Sequence, residues 1–122
     1  MKFHHFGLGV KRFEEAKKFY SHLGYEIGKN IIEKKQKVEI VLCTSNSMPT
    51  IELVKPLGKD SPVNNYLKKL NEVFYHSCFE IENLKKIRSF LYTHNAKCVS
   101  PPTEAVAFNY RKVSFFYMKM LA

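Results

Sequence analysis

Laid over itself at an offset of 71 residues, the chain meets its own pattern without a gap. His5 falls on His76, Leu8 on Phe79, Val10 on Ile81, Phe13 on Leu84, Ala16 on Ile87, Phe19 on Phe90 and Tyr20 on Leu91. Apolar meets apolar throughout. Gly24, which closes the first helical stripe, meets Asn95, the other residue that tolerates left-handed backbone. A repeat of this length is a duplicated module sharing one core, not a stack of short solenoid units. It confines the chain to folds that pair two like units.

Each unit opens on the same local structure. Over residues 3–10, Phe6, Leu8 and Val10 alternate with His5, Gly7 and Gly9, the period of a strand. Residues 12–23 place Phe13, Ala16, Phe19, Tyr20 and Leu23 on one helical stripe. Residues 25–33 and 38–44 are strand-like around a polar turn at 34–37, and 50–54 make a further strand, so the first half reads β-α-β-β-β. In the connection, Pro56, Gly58 and Pro62 break structure and residues 63–70 suit a short helix. The second half repeats the order with a strand at 75–81, a helix from Leu84 ending near Asn95, and strands at 97–100 and 113–118. A loop holding Pro101 and Pro102 separates the last two. With 122 residues, 45% of them hydrophobic, the expectation is one α+β domain: module one over 1–56, a connection over 57–74 and module two over 75–122.

The repeat also carries a chemical suggestion. In each module the first strand's histidine points away from the face that packs on the helix, so a pseudo-twofold brings His5 and His76 together in a shared concave sheet. Ile51 and Leu53 face the helix layer, which turns Glu52 into the same cavity. Two imidazoles and a carboxylate on one cavity are a divalent-metal donor set. Taken singly, each is more often a partly solvated strand side chain. His4 is expected on the opposite face, His22 and His94 at the surface, and Tyr75, Cys78 and Phe79 as packing residues.

The charge balance is strongly basic, with 20 Lys+Arg against 11 Asp+Glu and a net charge of +9. Only Arg12, Arg88 and Arg111 are arginine, the residue of base and phosphate forks. The lysines come in small groups opposite apolar stripes, as on a solvated face. Nucleic acid is therefore not an expected partner. No apolar run approaches the ~20 residues of a membrane helix, and no apolar signal segment follows Met1, so no membrane partner is expected either. Cys43, Cys78 and Cys98 are odd in number and unclustered, which argues against a disulfide framework and for a reducing cytoplasm.

Longer motifs add a family. The segment from His5 through Phe6, Gly7, Leu8 and Gly9 to Val10 resembles the opening strand of the vicinal oxygen chelate superfamily (the glyoxalase/bleomycin resistance protein/dioxygenase family). Within it the chain is similar to the glyoxalase I and methylmalonyl-CoA epimerase-like branch. Glu14, Glu15, Ala16, Phe19, Tyr20, Leu23, Gly24 and Tyr25 look like its first helix and turn. Thr50, Ile51, Glu52, Leu53, Val54 and Pro56 look like its Ile-Glu-Leu strand. Tyr75, His76, Phe79, Glu80, Ile81, Glu82 and Asn83 look like the opening of its second module. The resemblance implies two βαβββ modules forming a cupped mixed sheet around a divalent ion (Zn, Ni, Co or Mn). Its ligands come from the first and last strands of each module, and His5, Glu52 and His76 match three of them. The segment from Gln36 to Glu39 resembles the epimerases' third strand, whose Glu is a base, so Glu39 and Glu52 are the implied catalytic carboxylates.

The family's remaining ligand is a Glu on module two's last strand. At the repeat offset it falls on position 123, one beyond Ala122, so that strand is expected to be missing or a stub over 119–122. An uncovered sheet edge there favours a homodimer. The implied activity is a lyase, isomerase or epimerase acting through an enediolate on a small thioester, an acyl-CoA or an α-oxo-thiol adduct. The alternative is a non-catalytic small-ligand-binding or interaction module of the same fold.

Overall fold

The computed structural model describes residues 1–118. Its elements are β1 (Lys2–Val10), α1 (Glu14–His22), β2 (Glu26–Glu33), β3 (Val38–Thr44), β4 (Thr50–Pro56), β5 (Glu72–Glu80), α2 (Leu84–Thr93), β6 (Ala96–Glu104) and β7 (Lys112–Met118). Single 3-10 turns lie at Pro62–Asn65 and Val106–Phe108. The class is the expected α+β, and the order β-α-β-β-β followed by β-α-β-β follows the repeat. The expected stub over 119–122 lies outside the described residues. The chain divides into two compact units, Phe3–Phe79 and a second running from Glu80 with Met1–Lys2.

In the first unit the strands form a mixed sheet in the order β2-β3-β4-β1-β5. β1 runs parallel to β4, with Leu8 opposite Leu53, while β2–β3 and β3–β4 are antiparallel. Alternation decides the rest. Leu8, Val10, Val41, Cys43, Ile51 and Leu53 share one face and form a core with Phe13, Ala16 and Tyr20 at and along α1. Leu53, Val10 and Val41 are fully buried. The other face therefore receives His5, Gly7 and Gly9 from β1 and Glu52 from β4. β5, the first strand of the second module, completes this sheet beside β1.

The helix expected over 63–70 shortens to the turn Pro62–Asn65. Asn64 spends its side-chain amide on the carbonyls of Gly58 and Lys59, at 2.9 and 3.1 Å, a local bond that competes with helix propagation. Val63 and Leu67 are buried. In the second unit β6 pairs antiparallel with β7. It runs through Pro101 and Pro102, where a loop is expected. Register shifts between Cys98 and Ser100 and between Ser100 and Thr103 absorb the missing proline donors. Asn83 caps α2 by accepting from the Lys86 amide at 3.1 Å. The equivalence of Gly24 and Asn95 is literal: both end a helix with positive φ, 99° and 64°.

Candidate metal centre

Three strands of the first unit each bring one donor to a common point. His5 on β1 is 2% exposed, Glu52 on β4 is 5% exposed, and His76 on β5 is half-buried. His5 Nε2 lies 3.5 Å from Glu52 Oε1, His76 Nε2 lies 3.3 Å from the same oxygen, and the two Nε2 atoms are 3.2 Å apart. Glu52 stands directly across from Gly7 in the β1–β4 ladder. Gly7 makes room for the third member, because a Cβ built there would collide with the His76 ring.

The triangle fits a metal. Donors bound at about 2.0–2.2 Å in a tetrahedron lie roughly 3.3–3.6 Å from one another, which is the spacing of these three atoms. Mixed imidazole and carboxylate donors suit zinc and its first-row neighbours. His5, Glu52 and His76 form the potential metal-binding group among the described residues.

Electrostatics bind the same atoms together. Burial opposes a charge on His5, but hydrogen bonds with Cys78 and Glu52, and the Glu52 charge, outweigh it and raise the imidazole to about 9. Burial likewise opposes ionisation of Glu52, yet hydrogen bonds from His5 and His76 and their charges hold its carboxyl at about 2. Without metal the site is thus an imidazolium–carboxylate pair. Tyr75 borders it: its ring meets His76 edge-on at 4.5 Å and Tyr66 at 4.9 Å. Burial, then the charge of Glu52, keeps its phenol protonated far above the ordinary range.

Glu39 is not brought to this cluster. It shares the side of β3 that carries Val41 and Cys43 into the α1 core. There it accepts from Asn30 Nδ2 at 2.8 Å and pairs with Lys55 Nζ at 3.6 Å. Lys17 of α1 in turn donates to Asn30 at 2.9 Å. The alternation that carries Val41 and Cys43 into the core puts Glu39 on the face away from His5, Glu52 and His76. His22 and His94 are exposed, as expected. Tyr75 packs, as expected, against His76 and Tyr66, and Cys78 adds a hydrogen bond to His5. His4 is expected on the face opposite His5, yet their Nδ1 atoms meet at 2.8 Å. Alternation fixes where a Cβ points, not where a ring turns.

The model of the Glyoxalase/Bleomycin resistance protein/Dioxygenase superfamily matches residues 4–115. The chain belongs to this superfamily. Among relatives of this vicinal oxygen chelate chain, mitochondrial methylmalonyl-CoA epimerase of Bos taurus is 33% identical over 86 residues, 68% of this chain and 48% of that protein. The chain spans about half the length of the mammalian curated relatives it matches, 48–56%. Its fold matches crystalline methylmalonyl-CoA epimerase from Mycobacterium tuberculosis with a TM-score of 0.80 at 19% identity, covering 95% of this chain and 78% of that one. A variant of the Streptomyces coelicolor epimerase in complex with 2-nitronate-propionyl-CoA matches equally, with a TM-score of 0.80 at 16% identity and coverage of 96% and 87%. No helix among the described residues is long and apolar enough to cross a membrane.

Proposed function

We propose that the chain is an acyl-CoA epimerase that exchanges the proton on the carbon next to a thioester carbonyl. The observation that carries the reading is the buried triangle of His5, Glu52 and His76, in a chain related to proteins named methylmalonyl-CoA epimerase. His5 Nε2, His76 Nε2 and a Glu52 oxygen would hold a divalent ion. Bound there, a divalent ion supplies Lewis-acid stabilisation of the negative charge that develops on the substrate oxygens as the proton leaves.

The chain's own residues do the rest. His5 and His76 approach Glu52 from two strands and orient its carboxylate. Glu52 is the carboxylate of the cluster and is assigned the proton exchanged at the substrate carbon. Tyr75, packed on His76 and on Tyr66, shields one side of that imidazole. Glu39, tied to Lys55 and Asn30 on the other face, has no part in the step.

The test is α-proton exchange into a branched malonyl-type acyl-CoA in deuterated buffer, followed by mass, with zinc or cobalt present. Glu52→Gln is expected to lower the exchange rate by about 100-fold or more, the scale of a lost acid–base group, while Glu39→Gln stays near wild type. Equal losses in the two variants overturn the assignment of Glu52. Tight metal binding with no exchange on any acyl-CoA replaces the epimerase reading with a binding module.

A further inference from the structure

We propose that His4 is a positioning residue for the metal centre: its Nδ1 accepts the Nδ1 proton of His5 and so leaves the His5 Nε2 lone pair facing Glu52 and His76. The inference rests on the metal-site reading above. The two Nδ1 atoms are 2.8 Å apart, and the rings meet edge-to-face with centroids at 5.0 Å and planes at 81°. His5 is nearly inaccessible, so bulk water cannot readily substitute for this partner.

A neutral imidazole has one N–H and one acceptor nitrogen. Two imidazole nitrogens at 2.8 Å must therefore share a single proton between them. With that proton on His5, the opposite nitrogen, Nε2, carries a lone pair and can serve as a ligand. With it on His4, His5 accepts at Nδ1, must keep a proton on Nε2, and is unable to bind a cation. His5 Nε2 is the atom inside the triangle, 3.2 Å from His76 and 3.5 Å from Glu52. Occupancy of the triangle thus requires the first arrangement, and an acceptor at position 4 stabilises it. Outer partners that fix a ligating histidine's tautomer are ordinarily worth 10–100-fold in metal affinity.

Zinc affinity of the full chain, measured by chelator competition, tests this with two variants. His4→Phe keeps the ring and removes the acceptor; His4→Asn keeps an acceptor, Oδ1, at the same distance from Cβ as Nδ1. His4→Phe is expected to lose 10–100-fold in affinity, and His4→Asn to recover most of it. Equal losses in the two mean packing rather than proton placement and overturn the inference. So does a loss in Cys78→Ala with none in His4→Phe. Nitrogen-15 spectra of the imidazoles in zinc-loaded wild type decide the matter even where a variant fails to fold: His5 is expected to be protonated at Nδ1, and an unprotonated Nδ1 overturns the proposal. Wild-type protein that binds no zinc removes the metal-site reading itself, together with this inference. Zinc binding left unchanged by His4→Phe removes the inference alone.

Discussion

Gly7 and Gly9 stand two residues apart on the same face of β1, yet their surroundings give them different tasks. A Cβ at Gly7 collides with the His76 ring, whereas one at Gly9 would lie 3.4 Å from Val63 and 3.5 Å from Tyr75, close to ordinary contact. Neither needs left-handed backbone, so space alone separates them. Gly7→Ala is expected to push His76 out of the triangle and weaken zinc binding at least tenfold, the scale of displacing one member of a ligand shell. Gly9→Ala is expected to bind zinc like wild type. Isothermal titration of the two variants, each checked for a native circular dichroism spectrum, decides between them, and similar affinities would discard the role given to Gly7. The same collision explains why a small residue belongs two positions after His5: the imidazole from β5 reaches Glu52 by lying across the β1 backbone.

At the scale of elements, the sequence period carried most of the fold, and the places where it failed share a cause. β1, α1, β3 and β4 were legible because one face of each is buried in a single core, Leu8 with Leu53, Val41 and Ala16, so alternation or helical spacing was unambiguous. That alternation also placed His5 and Glu52 on one face, and the repeat supplied His76. The turn after β4 and the course of β6 were not legible, because Asn64 and the Pro101–Pro102 pair act through specific side-chain bonds and register shifts that leave no period. At Glu39 a short motif and the strand's own alternation point to different faces, and the side chain follows the alternation. The helix ends offer a direct test of the repeat at this scale. Gly24 has φ 99° with open space around it, and Asn95 has φ 64°, so their identities matter through backbone strain alone. Gly24→Ala is expected to destabilise the protein by about 1 kcal/mol, and Asn95→Gly to be neutral or slightly stabilising. Urea melts showing Asn95→Gly as the more damaging of the two would contradict the shared cap.

At the scale of the whole molecule, the metal-free centre ties stability to pH in both directions. His5 is raised from 6.5 to about 9; its contribution is full below 6.5 and fades as pH climbs through 9. Glu52 is lowered from 4.5 to about 2; its contribution is present above 4.5 and fades as pH falls toward 2. The pair therefore stabilises the metal-free protein most between about pH 4.5 and 6.5. Metal reverses the alkaline side. A ligating His5 must give up its Nε2 proton, so affinity rises about tenfold per pH unit up to roughly 9, and saturating metal adds stability to the state that binds it. Melting temperatures of wild type minus those of Glu52→Gln isolate the pair from the other titrating groups. Without metal this difference is expected to be largest near pH 5–6 and to shrink on both sides; with saturating zinc it is expected to keep growing toward pH 9. A metal-free difference that stays level from pH 5 to 9 would remove the imidazolium–carboxylate pair. One that declines above pH 6.5 with and without zinc alike would leave the pair but deny that a metal competes for the His5 proton.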